Sequence, residues 1–118
     1  MNREIKFRGW FQGVNGVEKW VYGYLVKQIN GNWEITNGET SWTVDNVGQF
    51  TGCFDKNGKE IYEGDIFKLG AEKEVFEVRF EHGCFMAFCN GKQYGLIGEL
   101  QICFIDIIGN VHQNAELL

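Results

Sequence analysis

Apolar and polar residues alternate with a period of two along much of this chain. Ile5 and Phe7, and beyond Gly9 also Phe11, alternate with Lys6, Arg8 and Trp10. That pattern predicts a strand with Ile5 and Phe7 on its core face and Lys6, Arg8 and Trp10 on its outer face. Gly13-Val14-Asn15-Gly16 makes a turn into a second strand over 19–27. There Trp20, Tyr22, Tyr24 and Val26 fall on one side and Val21, Gly23 and Leu25 on the other, both apolar enough to be covered. Asn30-Gly31-Asn32 reverses the chain before a short strand over 33–36, and Asn37-Gly38 reverses it again before 41–44. The first part, to about residue 48, therefore reads as a β-meander with short connections.

The central run, Asp55-Lys56-Asn57-Gly58-Lys59-Glu60-Ile61-Tyr62-Glu63-Gly64-Asp65-Ile66, organises the second half of the chain. Asn57 and Gly58 both tolerate positive φ, as tight hairpin turns require, and lie between strand-like segments at 49–54 and 59–62. Glu63-Gly64 turns the chain again, and Asp65 is placed to accept backbone N–H groups in that turn. Phe76, Val78 and Phe80 alternate with Val75, Glu77 and Arg79 in a further strand, turned by Glu81-His82-Gly83. The run 84–89 is apolar throughout and reads as a strand covered on both sides, ended by Asn90-Gly91. Residues 95–98 are ambiguous. The region 100–111 is rich in β-branched residues and reads as strand, with Gly109 as its breaker. Asn114 either caps a last helical turn or starts a docked irregular tail.

Eight to ten short strands and no long helical pattern point to an all-β, mainly β protein with little helix, either a barrel or two small packed sheets. The 118 residues suit one cooperative domain, with a meander over about 1–48 and a barrel portion over about 49–118. Ten Phe, four Tyr, four Trp and sixteen Gly favour strands and turns. Proline is absent, so Gly and Asn must supply the turns.

A net charge of −5 argues against nonspecific nucleic-acid binding, which rests on Lys and Arg neutralising phosphates. No apolar stretch reaches the roughly 18–20 residues of a membrane-spanning helix, and the N-terminus has no apolar signal core. These features predict a cytoplasmic protein without a membrane partner. Cys53, Cys84, Cys89 and Cys103 then read as reduced thiols serving as small apolar side chains.

The segment from Thr51-Gly52-Cys53-Phe54 through the central run to Asp65-Ile66 resembles the signature of the YopX protein family, found in phages and prophages of low-GC Gram-positive bacteria. Arg3-Glu4-Ile5-Lys6-Phe7-Arg8-Gly9-Trp10 is similar to the family's opening, and Ile108-Gly109-Asn110-Val111-His112 with Glu116-Leu117-Leu118 to its close. The resemblance implies an SH3-type small-barrel element, a phage or prophage origin and self-association as a homo-oligomer. It implies no established biochemical activity. Cys53-Phe54 stands where the family pattern has Leu and a variable residue, and Gln113-Asn114-Ala115 where it has Glu-Asn-Pro. The first departure loses volume in a core position, and the second frees the tail slightly.

Candidate chemistry is sparse. His82, Cys84 and Cys89 carry zinc-ligand side chains. On a continuous strand, however, residues five apart face opposite ways about 16 Å from each other, too far to share an ion. Glu60, Glu63 and Asp65 fit turn chemistry better than acid–base catalysis, and nucleophile-elbow, phosphate-loop and His-Glu-x-x-His patterns are all missing. The expectation is a non-enzyme with no cofactor and no metal. Trp10, Trp20, Trp33 and Trp42 all fall in the first half, with Tyr22, Lys6 and Arg8 nearby. Aromatics flanked by cations build protein interfaces, single-stranded nucleic-acid platforms or a second core layer. A protein-binding module acting on a host or phage protein is the leading expectation. Its alternative is a nucleic-acid-binding barrel in phage DNA or RNA metabolism, which needs Arg3, Lys6, Arg8, Lys19 and Lys27 to converge on one surface.

Overall fold

The computed structural model describes residues 4–71, 73–100 and 104–118. Arg3 and Cys103 lie outside the described residues. Ten strands and a few short 3-10 turns make up the described chain, which is mainly β, with two antiparallel sheets. It divides into two compact units, Met1–Phe50 and Thr51–Leu118.

In the first unit, β1 (Phe7–Gln12), β2 (Glu18–Lys27), β3 (Trp33–Thr36) and β4 (Ser41–Phe54) follow one another as a meander. The meander also closes on itself, because β1 pairs with β4 as well as with β2. A bulge makes this closure possible: the β1–β4 register shifts between Arg8 and Trp10, opposite Asn46, whose φ is +54°. Val21, Ile35 and Val44 form the buried core, with Phe7, Phe11, Leu25, Trp42 and Val47 packed against it. Gly9 lets β1 pass over Val44, since a Cβ there would lie 2.6 Å from the Val44 Cβ and Cγ2.

Three expectations fail in this unit for one reason, that alternation assigns sides and leaves open what covers them. Ile5 precedes the first strand and is 52% exposed, so it is no core residue. Arg8 is only 5% exposed despite its outer-face position. The outer side of β2 is not covered throughout, because Tyr22, Tyr24 and Val26 are exposed while Val21 is buried.

The second unit takes the end of β4 into a hairpin with β5 (Glu60–Tyr62), followed by β6 (Asp65–Leu69), β7 (Phe76–Glu81), β8 (Cys84–Cys89), β9 (Lys92–Leu96) and β10 (Ile105–Asn110). The sheet order β10-β6-β7-β8-β9, with a 3-10 turn at Ile97–Glu99 before the last strand, is that of an SH3-type small barrel. Ile61, Phe67, Phe76, Val78, Ala87, Ile97 and Ile105 form its core, and Phe67 stacks on Phe76 at 5.3 Å between ring centroids. Cys53, half-buried, packs against this core.

The β7–β8 and β8–β9 hairpins turn on His82-Gly83 and Asn90-Gly91, all four residues at positive φ, as two-residue turns matched to strand twist require. The Asn57-Gly58 turn differs, because only Gly58, at φ +80°, is in the left-handed region. Strand β9 is not marked in the sequence, because Lys-Gln-Tyr-Gly-Leu has no clean alternation. At the other end, β10 begins at Ile105 and continues through Gly109, where its register against β6 shifts. Gly109 is needed there, because a Cβ would meet the Asn114 Oδ1 at 2.6 Å. That oxygen accepts the Asn110 N–H at 3.1 Å and caps nothing in the closing 3-10 turn, Ala115–Leu117.

Candidate binding surface

The antiparallel register places Arg8 beside Tyr22, Trp10 beside Trp20 and Gln12 beside Glu18. Each pair shares the outer face of β1 and β2, because directly opposed residues point the same way. The Trp10 and Trp20 rings meet edge to face, 5.1 Å between centroids and 69° between planes. Arg8 lays its guanidinium carbon 4.5 Å over the Trp20 ring. A guanidinium tolerates this burial better than an ammonium, since its charge is spread and weakly hydrated.

The same face continues along β2 through Tyr22 to Tyr24, which is 65% exposed, and to Val26, also exposed. Beyond β2 it passes to Thr36 and Glu34 on β3, and on the far side of β1 to Asp45, the partner of Trp10 on β4. Two glutamates at its margins are held by neighbouring amides: Gln12 Nε2 donates to Glu18 Oε1 at 3.0 Å, and Gln28 Nε2 to Glu34 Oε2 at 2.7 Å.

The seven residues singled out for an interface thus separate. Arg8, Trp10, Trp20 and Tyr22 come together on the outer face. Trp33 and Trp42 have the opposite parity, in register with Val44 and Ile35, so they belong to the core side. Trp42 packs on the core cluster, and Trp33 lies exposed at its margin. Lys6 precedes β1, 3.6 Å from Glu4 and 5.3 Å from the Phe50 ring centroid. The cations do not converge: Lys19 sits over Trp42 at 5.6 Å and Lys27 over Trp33 at 5.2 Å, eight positions apart on the core-side parity of β2. Each of these four cations lies over its own aromatic ring.

Features of other site types are scattered. His82 is in the β7–β8 turn, Cys84 is exposed at the start of β8, and Cys89 stands at the end of that strand. Among the described residues, no group of three or more His, Cys, Asp or Glu is arranged to hold a metal ion. An open cleft of about 450 Å³ in the second unit is lined by Leu69, Tyr94, Leu100 and Phe104 among others, with Glu99 the one carboxylate among the described lining residues. No helix among the described residues is long and apolar enough to cross a membrane.

A family profile described as YopX protein matches residues 6–118. The chain belongs to the YopX family. Its fold is similar to that of the crystal structure of protein YopX from Bacillus subtilis, with a TM-score of 0.60 and 24% identity over 96% of this chain and 95% of that chain. At that identity the likeness concerns the fold. None of the curated proteins matches the chain.

Within this YopX-family fold, the signature segment is held by backbone bonding. Buried Asp55 is its hub: Oδ1 accepts the N–H groups of Asn57 and Lys59, both at 2.9 Å, and Oδ2 accepts that of Ile107 at 3.3 Å. The Lys56 N–H donates to the Ile105 carbonyl at 2.9 Å, and Asn57 Nδ2 lies 3.4 Å from Asp106 Oδ1. The hairpin is thereby tied to β10. Gly64, at φ +94°, donates its N–H to Val78 and accepts that of Val111, while Asp65 Oδ2 accepts the Tyr62 N–H at 2.7 Å. Sequence reasoning assigned Asp65 this kind of role and passed over Asp55, although an Asp two residues before Asn-Gly is the signal for an Asx turn.

Proposed function

We propose that this YopX-family chain is a non-enzymatic, self-associating protein-binding module of phage or prophage origin, acting in the cytoplasm of the host cell. The observation that carries this reading is the aromatic outer face of β1 and β2, where Tyr22, Tyr24 and Val26 stand exposed beside the half-buried Trp10–Trp20 pair. Tyr and Trp combine large apolar area with a polar tip and few rotatable bonds, which suits them to interfaces. Setting them on paired strands fixes their spacing before any partner arrives, which lowers the ordering cost of binding.

The test replaces Tyr24 and Val26 together by serine and follows association by sedimentation velocity at about 30 μM, in the range where weak assemblies persist. A parallel pull-down from host lysate tracks any partner. The reading expects the wild-type chain to sediment above its monomer mass of 13.6 kDa or to retain a partner, and the double variant to lose that behaviour while keeping its circular dichroism. A strict wild-type monomer that recovers nothing would overturn it.

A further inference from the structure

We infer that the Trp10–Trp20 end of this face takes an arginine-bearing segment of a second protein. This deepens the protein-binding reading above and rests on it. Asp45 is exposed and opposes Trp10 across β1 and β4, and neither a hydrogen bond nor an ion pair joins its carboxylate to another described residue. Opposed Cβ atoms stand about 4.5–5.5 Å apart, so one guanidinium spans the Trp10 ring and the Asp45 carboxylate together. Glu18, exposed on the same face two residues before Trp20, supplies a second carboxylate whose other oxygen remains open beside its bond from Gln12. Aromatic surface bordered by carboxylates is the chemistry that receives a cation.

Arginine suits the patch better than lysine. A planar guanidinium stacks on an indole and presents a fork of donors to a carboxylate, whereas an ammonium does neither well. The chain itself shows the stacking, with Arg8 lying 4.5 Å over Trp20. A second copy of this chain is a poor source of the guanidinium, because both arginines among the described residues, Arg8 and Arg79, already lie over aromatic rings and the net charge is −5.

The test uses the full chain and three fluorescein-labelled octapeptides, in which serine alternates with arginine, lysine or glutamate, read by fluorescence anisotropy at low ionic strength. The arginine peptide should bind, the lysine peptide several-fold more weakly, and the glutamate peptide not at all. The double variant Glu18→Lys and Asp45→Lys should weaken arginine-peptide binding at least about tenfold, as expected when partners of a charge pair are reversed. Glu74→Lys with Glu116→Lys changes the net charge equally at exposed positions of the second unit and should weaken it less than about twofold. All four positions are exposed, and each double variant should melt with the wild type. Absence of arginine-peptide binding, or equal losses in the two double variants, would overturn the assignment. If that happens while Tyr24→Ser with Val26→Ser still abolishes association, only the partner chemistry fails and the binding face stands.

Discussion

Replacing Asp55 by alanine removes three hydrogen bonds at a site only 5% exposed. A bond to a charged acceptor contributes about 1.5–3 kcal/mol net. The Asn57 and Lys59 N–H groups are partly accessible, and water can replace some of what they lose, so the low end applies to those two bonds of 2.9 Å. The 3.3 Å bond from Ile107 is longer and contributes about half as much, giving a loss of roughly 4 kcal/mol in all. Unfolding entropy of about 2.1 cal/mol/K per residue gives roughly 0.25 kcal/mol/K for a chain this long, so the melting temperature should fall by about 15 °C. Asp55→Asn retains one acceptor but points an amide donor at a backbone donor, and should fall by roughly half as much. Calorimetry reads the shift, and amide exchange locates it, with the Ile107 amide losing protection first. A melting temperature for Asp55→Ala within about 3 °C of wild type would refute the hub role, because water would then be replacing every bond.

Two backbone predictions separate conformation from crowding. Gly64→Val forces a β-branched residue to φ +94° and should cost about 2–3 kcal/mol in chemical denaturation, whereas Asn57→Val, outside the left-handed region, should cost less than about 1 kcal/mol. Gly9→Ala drives a methyl into Val44 and should cost about 1–3 kcal/mol, while Gly95→Ala, with open space around its Cβ, should be neutral or stabilise by up to about 1 kcal/mol in the same assay.

What the sequence determined here is local. Alternation marked most of the strands, and Asn-Gly and His-Gly pairs marked turns, because a strand's side parity and a residue's tolerance of positive φ are properties of a few consecutive residues. The resemblance of the central run to the YopX signature was legible for the same reason, since the hairpin from Asp55 to Lys59 is built from its own side chains and backbone. Coverage was not legible. Arg8 is buried and Tyr24 exposed although both sit on an outer face, and Trp42 packs inward while Trp10 faces out, because burial depends on partners far away in the chain. The pairing of β1 with β4 and the bond from Ile107 to Asp55, 52 positions apart, join residues whose local patterns carry no mark of each other. Only tertiary structure brings them together, because the area buried by a strand face depends on which other face packs on it, and alternation is the same whether that face meets a core, a ring or water.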